Sequence, residues 1–285
     1  MANVAPISSM APRSSAAAPI LVVDDIVKRF ETPDGTVTAV DHISFDVAPG
    51  EFLAVIGPSG CGKSTLFNII GGLTDGYSGR VAVAGETVKG PHAAIGMVFQ
   101  EESTFPWRTV TENVAFPLEI AGLPKPQRIE RAQHFIDLVG LTGFERRYPA
   151  ELSGGMRQRV AIARTLASEP KILLMDEPFG ALDEQTRLLL GDKVLAIQDQ
   201  LKQTCLLITH NITEAVQLAD RVLVMTYRPG TVKRIVAIEL PRPRSSEIVS
   251  SDAFGRYVAQ IWGDLREEAS RGMRDDEQHI AERAS

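Results

Sequence analysis

The sequence predicts an α/β fold: a strand-rich first half, a helical insertion, and a return to alternating strands and helices. Three observations carry this. Runs of β-branched residues punctuated by Gly and Pro fill residues 20–100, apolar residues at helical spacing fill about 101–167, and a second strand-and-helix stretch extends from Lys171 to about Leu240. Residues 1–19, rich in Ala, Ser and Pro without periodicity, read as a disordered tail, and residues 241–285 as a helical tail.

In chain order, residues 37–40, 43–47, 52–56, 81–83 and 95–99 read as strands, and Leu66-Phe67-Asn68-Ile69-Ile70 as the start of a helix. Thr109-Val110-Thr111-Glu112 has the form of a capping box, in which hydroxyl and carboxylate each satisfy an orphan backbone donor, and residues 129–139 place apolar groups at helical spacing. The apolar residues 171–175 form another strand. Pro241-Arg242-Pro243-Arg244 ends the alternation, and beyond it Phe254, Val258, Ile261 and Leu265 recur at the spacing of an amphipathic helix. That helix is expected to pack back on its own domain, with a regulatory or partner-binding role as the alternative.

With 285 residues, 44% of them hydrophobic, the chain has material for one large or two modest domains. Cys61 and Cys205 fall in a loop and an apolar strand and suggest no disulfide framework, which suits a reducing compartment. A net charge of −6 argues against a nucleic-acid partner, whose electrostatic footprint would be basic. No apolar run approaches the roughly 18 residues of a membrane helix. Residues 16–23 are too short for a leader, contain Pro19, and run into Asp24-Asp25.

Gly57-Pro58-Ser59-Gly60-Cys61-Gly62-Lys63-Ser64-Thr65 fits the phosphate-loop pattern G-x-x-x-x-G-K-[ST] between a strand and a helix. Its glycines let the backbone wrap a polyphosphate at the positive end of the following helix, Lys63 reaches the β- and γ-phosphates, and the Ser64 hydroxyl ligates Mg²⁺. The same helix end should favour a thiolate at Cys61. At the end of the strand 171–175 stand Asp176 and Glu177, which we assign to the metal and to the attacking water respectively. Ser153-Gly154-Gly155, ahead of the helical run 156–167, offers a hydroxyl and unobstructed N–H groups as a second anion site.

With Leu152-Ser153-Gly154-Gly155-Met156-Arg157-Gln158 lying between these elements, the chain resembles the nucleotide-binding subunits of ABC transporters over about residues 21–240. The resemblance implies a P-loop ATPase core with an antiparallel β subdomain and an inserted helical subdomain, acting on ATP with Mg²⁺. It implies that Gln100 senses the γ-phosphate and its metal ion, that Ala181-Leu182-Asp183 is the D-loop, that His210 contacts the γ-phosphate, and that Phe30 lies against adenine. It also implies a head-to-tail dimer in which Ser153 and Gly155 of one chain close over the ATP held by Lys63 of the other.

Phe105-Pro106-Trp107-Arg108-Thr109, Arg147-Tyr148-Pro149-Ala150-Glu151 and Leu240-Pro241-Arg242-Pro243-Arg244 look like the nitrate, sulfonate and taurine branch of bacterial importers. That likeness implies permease subunits docking near Phe105, Pro106 and Trp107, a solute-binding protein outside the cell, and a peripheral place on the cytoplasmic face of the membrane. Three other readings use the same residues: export, an ABC ATPase working on DNA or ribosomes, and a regulatory module that binds ATP and scarcely turns it over. The chain lacks the long coiled-coil insertions and basic extensions of the second, and the presence of Lys63, Gln100, Asp176, Glu177 and His210 together speaks against the third.

Overall fold

A computed structural model describes residues 18–33, 35–100 and 103–284. The tail expected over residues 1–19 therefore lies outside the described residues except at Ala18 and Pro19, as do Glu101 and Glu102 of the loop after Gln100.

Two sheets organise the chain. The first has the order β2-β1-β4-β5, formed by Leu21–Thr32 (β1), Gly35–Val47 (β2), Ser78–Val83 (β4) and Glu86–Thr87 (β5), and all its pairings are antiparallel. The second has the order β10-β9-β3-β8-β7-β6, formed by Phe52–Ile56 (β3), Ile95–Val98 (β6), Ile172–Asp176 (β7), Thr204–Ile208 (β8), Arg221–Met225 (β9) and Val232–Ala237 (β10). It is parallel except where β10 pairs with β9. Each residue of β3 and β8 is buried, as expected of central parallel strands covered on both faces.

The sequence reads residues 37–40 and 43–47 as separate strands, and the structure joins them into β2. Register shifts against β1 absorb the break, with His42 at φ 49° and its ring nitrogen 2.6 Å from Asp25, itself at φ 53°. Irregularities of this kind let a strand bend without ending.

The helical insertion comprises Val110–Ile120 (α2), Lys125–Leu138 (α3) and Gly154–Leu166 (α4). Helix α2 begins with the capping box that the sequence predicts: Glu112 N–H donates to Thr109 Oγ1 at 3.3 Å, and Thr109 N–H to Glu112 Oε2 at 2.9 Å. Its Asn113, fully buried, accepts from Phe105 N–H and donates to the carbonyls of Phe105, Arg108 and Thr109, so the loop after Gln100 is pinned to this helix.

Helices Lys63–Ile70 (α1), Glu184–Leu201 (α5) and Ile212–Leu218 (α6) flank the second sheet. The exit from the domain is bonded to it: Arg244, 7% exposed, donates to the carbonyls of Ala219 and Ile238, and Arg242 pairs with Asp220 at 2.8 Å. The last helix, Asp252–Ala284 (α7), folds back so that Phe254, Ile261 and Leu265 join the core that also holds α2, α4 and the parallel strands. No helix among the described residues is long and apolar enough to cross a membrane.

Candidate functional site

Parallel strands β3, β7 and β8 lie side by side in the sheet, and the crevice beyond their carboxyl ends is where open α/β sheets bind ligands. The phosphate loop leaves β3 there. Gly60 and Gly62 take φ +73° and +94°, and a Cβ on Gly62 would lie 2.6 Å from the Ala39 carbonyl. Only glycine lets the backbone turn this tightly. Gly62 caps α1 without a side-chain hydrogen bond, which leaves its first N–H groups to a ligand. The Lys63 ammonium, 8% exposed, donates to the carbonyls of Gly57 at 2.9 Å and Pro58 at 3.0 Å, and so lies across the loop.

Cys61 departs from expectation. Burial pushes its thiol up, and the neighbouring Lys63 ammonium only offsets part of that. The residue is fully buried, so desolvation of the charged form outweighs the field of the helix end.

Asp176 ends β7, and its carboxylate accepts a hydrogen bond from the Ser64 hydroxyl. Burial and the Glu177 charge push its carboxyl up, against Lys63 and Ser64. Glu177 follows at φ 43°, a conformation that side-chain-bearing residues seldom adopt. Its amide donates to the Ile208 carbonyl at 2.8 Å, and its Oε2 lies 3.0 Å from His210 Nδ1. Two side-by-side carboxylates beside a hydroxyl suit Mg²⁺, which takes one or two protein oxygens and completes its shell with substrate phosphate and water. No cluster of three or more His, Cys, Asp or Glu with metal-binding geometry occurs among the described residues, so the donors fit an ion shared with a ligand and not a cage built by the protein alone.

The remaining predicted residues lie on other elements, with Gln100 at the same end of the sheet as Asp176 because β6 runs parallel to β7. Gln100 is exposed just past β6. Two residues of the loop that follows are held by α4: Arg164 donates to Ser103 at its carbonyl, 2.6 Å, and its hydroxyl, 2.7 Å, and stacks 5.1 Å from the Phe105 ring centroid. Phe105 also packs edge-on against Phe116, whereas Trp107 is 71% exposed and Pro106 exposed. Phe30, 40% exposed near the end of β1, has Lys28 Nζ 4.8 Å over its ring. Ser153 caps α4 by accepting from Met156 N–H at 3.3 Å, and a Cβ on Gly155 would touch Thr186 and Leu182. Asp183 caps α5 by accepting from the amide of Thr186 at 2.9 Å and its hydroxyl at 2.7 Å, which hold its carboxyl below the usual range. The Ser153 turn and the Asp183 turn are therefore neighbours within one chain.

Sequence reasoning missed one element that touches the phosphate loop, the turn Thr226-Tyr227-Arg228-Pro229-Gly230-Thr231 between β9 and β10. Arg228 Nε donates to the Gly60 carbonyl at 3.0 Å, and Asp41 N–H donates to Gly230 O at 2.9 Å. Arg-Pro-Gly signals a turn in the sequence, but nothing local says that the turn lands on a loop more than 150 residues upstream.

The ABC transporter family matches residues 40–180. An uncharacterised ABC transporter ATP-binding protein of Methanocaldococcus jannaschii is 50% identical over 254 residues, 89% of this chain and 94% of that protein. The nitrate import ATP-binding protein NrtD of Synechocystis is 45% identical over 252 residues, 86% of this chain and 95% of that one. The aliphatic sulfonates import ATP-binding protein SsuB of Bacillus cereus is 42% identical over 239 residues, covering 84% and 94%. Among solved structures, a dimeric ATP-binding cassette in a post-hydrolysis state with ADP and Pi superposes with a TM-score of 0.68 at 29% identity, over 78% of this chain and 100% of that one.

Proposed function

This chain belongs to the ABC transporter family as an ATP-binding ATPase, and from that membership we infer that it powers import of a small, anionic solute through separate membrane subunits. The observation that carries the reading is the meeting of Lys63, Ser64, Asp176, Glu177 and His210 at the carboxyl ends of three adjacent strands.

The backbone of residues 57–65 and the Lys63 ammonium bind the phosphates of ATP, and Phe30 offers an exposed ring to the adenine. Ser64 and Asp176, with Gln100 at the edge, would hold Mg²⁺. When bound, the ion neutralises phosphate charge as it develops. Glu177 orients the attacking water and takes its proton, while His210 holds that carboxylate through the 3.0 Å contact from a ring nitrogen carrying the proton. A second copy of the chain completes the site from outside: its Ser153 and Gly155 close over the nucleotide, with Asp183 at the seam. The dimeric arrangement of the related cassette supports this.

Coupling to a permease runs through the loop after Gln100. Asn113 and Arg164 hold that loop to α2 and α4, so a displacement at Gln100 is carried into the helical insertion, and Trp107 is exposed beside it to meet a membrane subunit. Likeness to nitrate and sulfonate importers supports a small anion as the solute, captured outside by a binding protein, and a peripheral place for this chain at the inner face of the membrane. The solute does not pass through this chain, and no residue here selects it.

Replacing Glu177 with Gln tests the chemistry. We expect steady-state turnover to fall at least ~100-fold while ATP is still bound, because general-base catalysis is worth about 10²–10⁴ in rate. Turnover within a few-fold of the parent protein would remove Glu177 from this role.

A further inference from the structure

The phosphate loop is held from behind by a turn that is in turn held by the last helix of the chain. Gly230 of that turn lies so close to the loop that a Cβ there would sit 2.0 Å from the Cys61 carbonyl, and its amide donates to Ala39 O at 3.1 Å. Arg228 donates through Nε to the carbonyl of Gly60, at 3.0 Å, and its Nη2 lies 2.8 Å from where a Gly60 Cβ would be. Gly60 has φ +73°, and the direction of its carbonyl fixes the opposite direction of the next amide, that of Cys61. The Cys61 amide donates to the Pro58 carbonyl at 3.4 Å, so a donor on the Gly60 carbonyl fixes this peptide and with it the tight turn of the phosphate loop.

Contacts from α7 hold the turn and the start of β10 in place. Tyr227 N–H donates to Glu268 Oε2 at 3.0 Å, and the Tyr227 ring packs against Gly272, where a Cβ would lie 2.7 Å from Cε2. Glu268, 1% exposed, also accepts from Lys233 Nζ at 2.8 Å, and Lys233 reaches the Asp264 carbonyl at 3.1 Å. Within the turn, Thr226 Oγ1 donates to Pro229 O and accepts from Thr231 N–H, each at 2.9 Å, so its two ends move together. A displacement of α7 at Glu268 is transmitted to Arg228 through one residue.

We propose that Arg228 is a positioning residue for the phosphate loop and that Glu268 of α7 sets Arg228, so that the C-terminal helix tunes ATP affinity. The inference rests on residues 57–65 being the nucleotide site. Neither residue enters the chemical step, so the effect falls on binding and leaves the rate at saturation alone.

The test measures equilibrium ATP binding, KM and kcat for Arg228→Ala, Arg228→Lys, Glu268→Ala and Glu268→Gln, with Lys63→Ala alongside and thermal melting to verify the fold. We expect Arg228→Ala to raise Kd and KM for ATP about fivefold, the worth of one lost hydrogen bond of ~1 kcal/mol. Its kcat should stay within twofold, with partial rescue by Arg228→Lys. Glu268→Gln, which keeps the acceptor for Tyr227 and loses the Lys233 pair, should show the same split more weakly, and Glu268→Ala more strongly. Unchanged Kd and KM in Arg228→Ala, or a loss confined to kcat, would overturn the proposal, as would failure of either Glu268 variant to change affinity. Should Arg228→Ala not fold, Arg228→Lys decides: a Kd equal to that of the parent protein then counts against it. If Lys63→Ala binds ATP normally, it is the assignment of the nucleotide site that fails.

Discussion

Two helix N-termini in this molecule are built of glycine and serine, and their difference is instructive. Helix α1 starts at Gly62 with φ +94° and no side-chain cap, and a buried lysine lies over the loop before it. Helix α4 starts at Ser153, exposed, whose hydroxyl already accepts from Met156 N–H. The first leaves its backbone donors open inside a cradle supplied by Lys63, Ala39 and Arg228 of the same chain, which is the form of a binding site. The second satisfies itself through its serine, has Arg157 on the Leu152 carbonyl at 2.6 Å, and has the Asp183 turn for a neighbour, which on the proposed reading suits a surface that meets another copy. On that reading, one chain holds the grip for a nucleotide and, elsewhere, a lid for the grip of a second copy.

Substitutions that separate the two ends sharpen this contrast. Lys63→Ala should have the largest effect, weakening ATP binding about 10- to 100-fold, since a charge-assisted hydrogen bond is worth ~1.5–3 kcal/mol; isothermal titration measures it. A titration that matches the parent protein would mean that the α1 end is not the grip. Next comes a matched glycine pair. Gly62→Ala should lower stability by about 1–3 kcal/mol, because it forces a side chain into left-handed backbone with the Ala39 carbonyl 2.6 Å away. Gly155→Ala should cost about 1 kcal/mol or less, its Cβ meeting the Thr186 methyl at 3.3 Å and Leu182 at 3.8 Å, and should lower turnover without changing ATP affinity of the monomer. Urea melts that rank the pair the other way would break the comparison.

What the sequence could tell follows the range of each interaction. The phosphate loop, Asp176-Glu177 and the capping box at Thr109 were legible because each is a contiguous string whose geometry is set by its own backbone. The parallel strands were legible for a related reason: a run such as Phe52–Ile56, buried at every position, admits few other placements. Harder features depended on what lies opposite. The continuity of β2 through His42 is decided by its pairing with β1. The Cys61 thiol is governed by burial, which a helix-end argument does not register. The Arg228 turn and Glu268 join segments about 170 and 40 residues apart, and their residue types read as an ordinary turn and an ordinary helix charge. The sequence does not separate Phe105, Pro106 and Trp107 as a docking segment, whereas Phe105 packs on Phe116 of α2 and Trp107 stays exposed.

The most direct measurement places Ser153→Glu in a Glu177→Gln background and determines, for that protein and for Glu177→Gln alone, ATP affinity at nanomolar concentration and mass by sedimentation in ATP and Mg²⁺. If Ser153 serves the nucleotide of a second copy, both proteins bind ATP equally as monomers, and only the one with Ser153 intact sediments as a dimer. A loss of monomer affinity in the double variant, or a dimer that persists despite the added charge, would contradict a site shared between two chains.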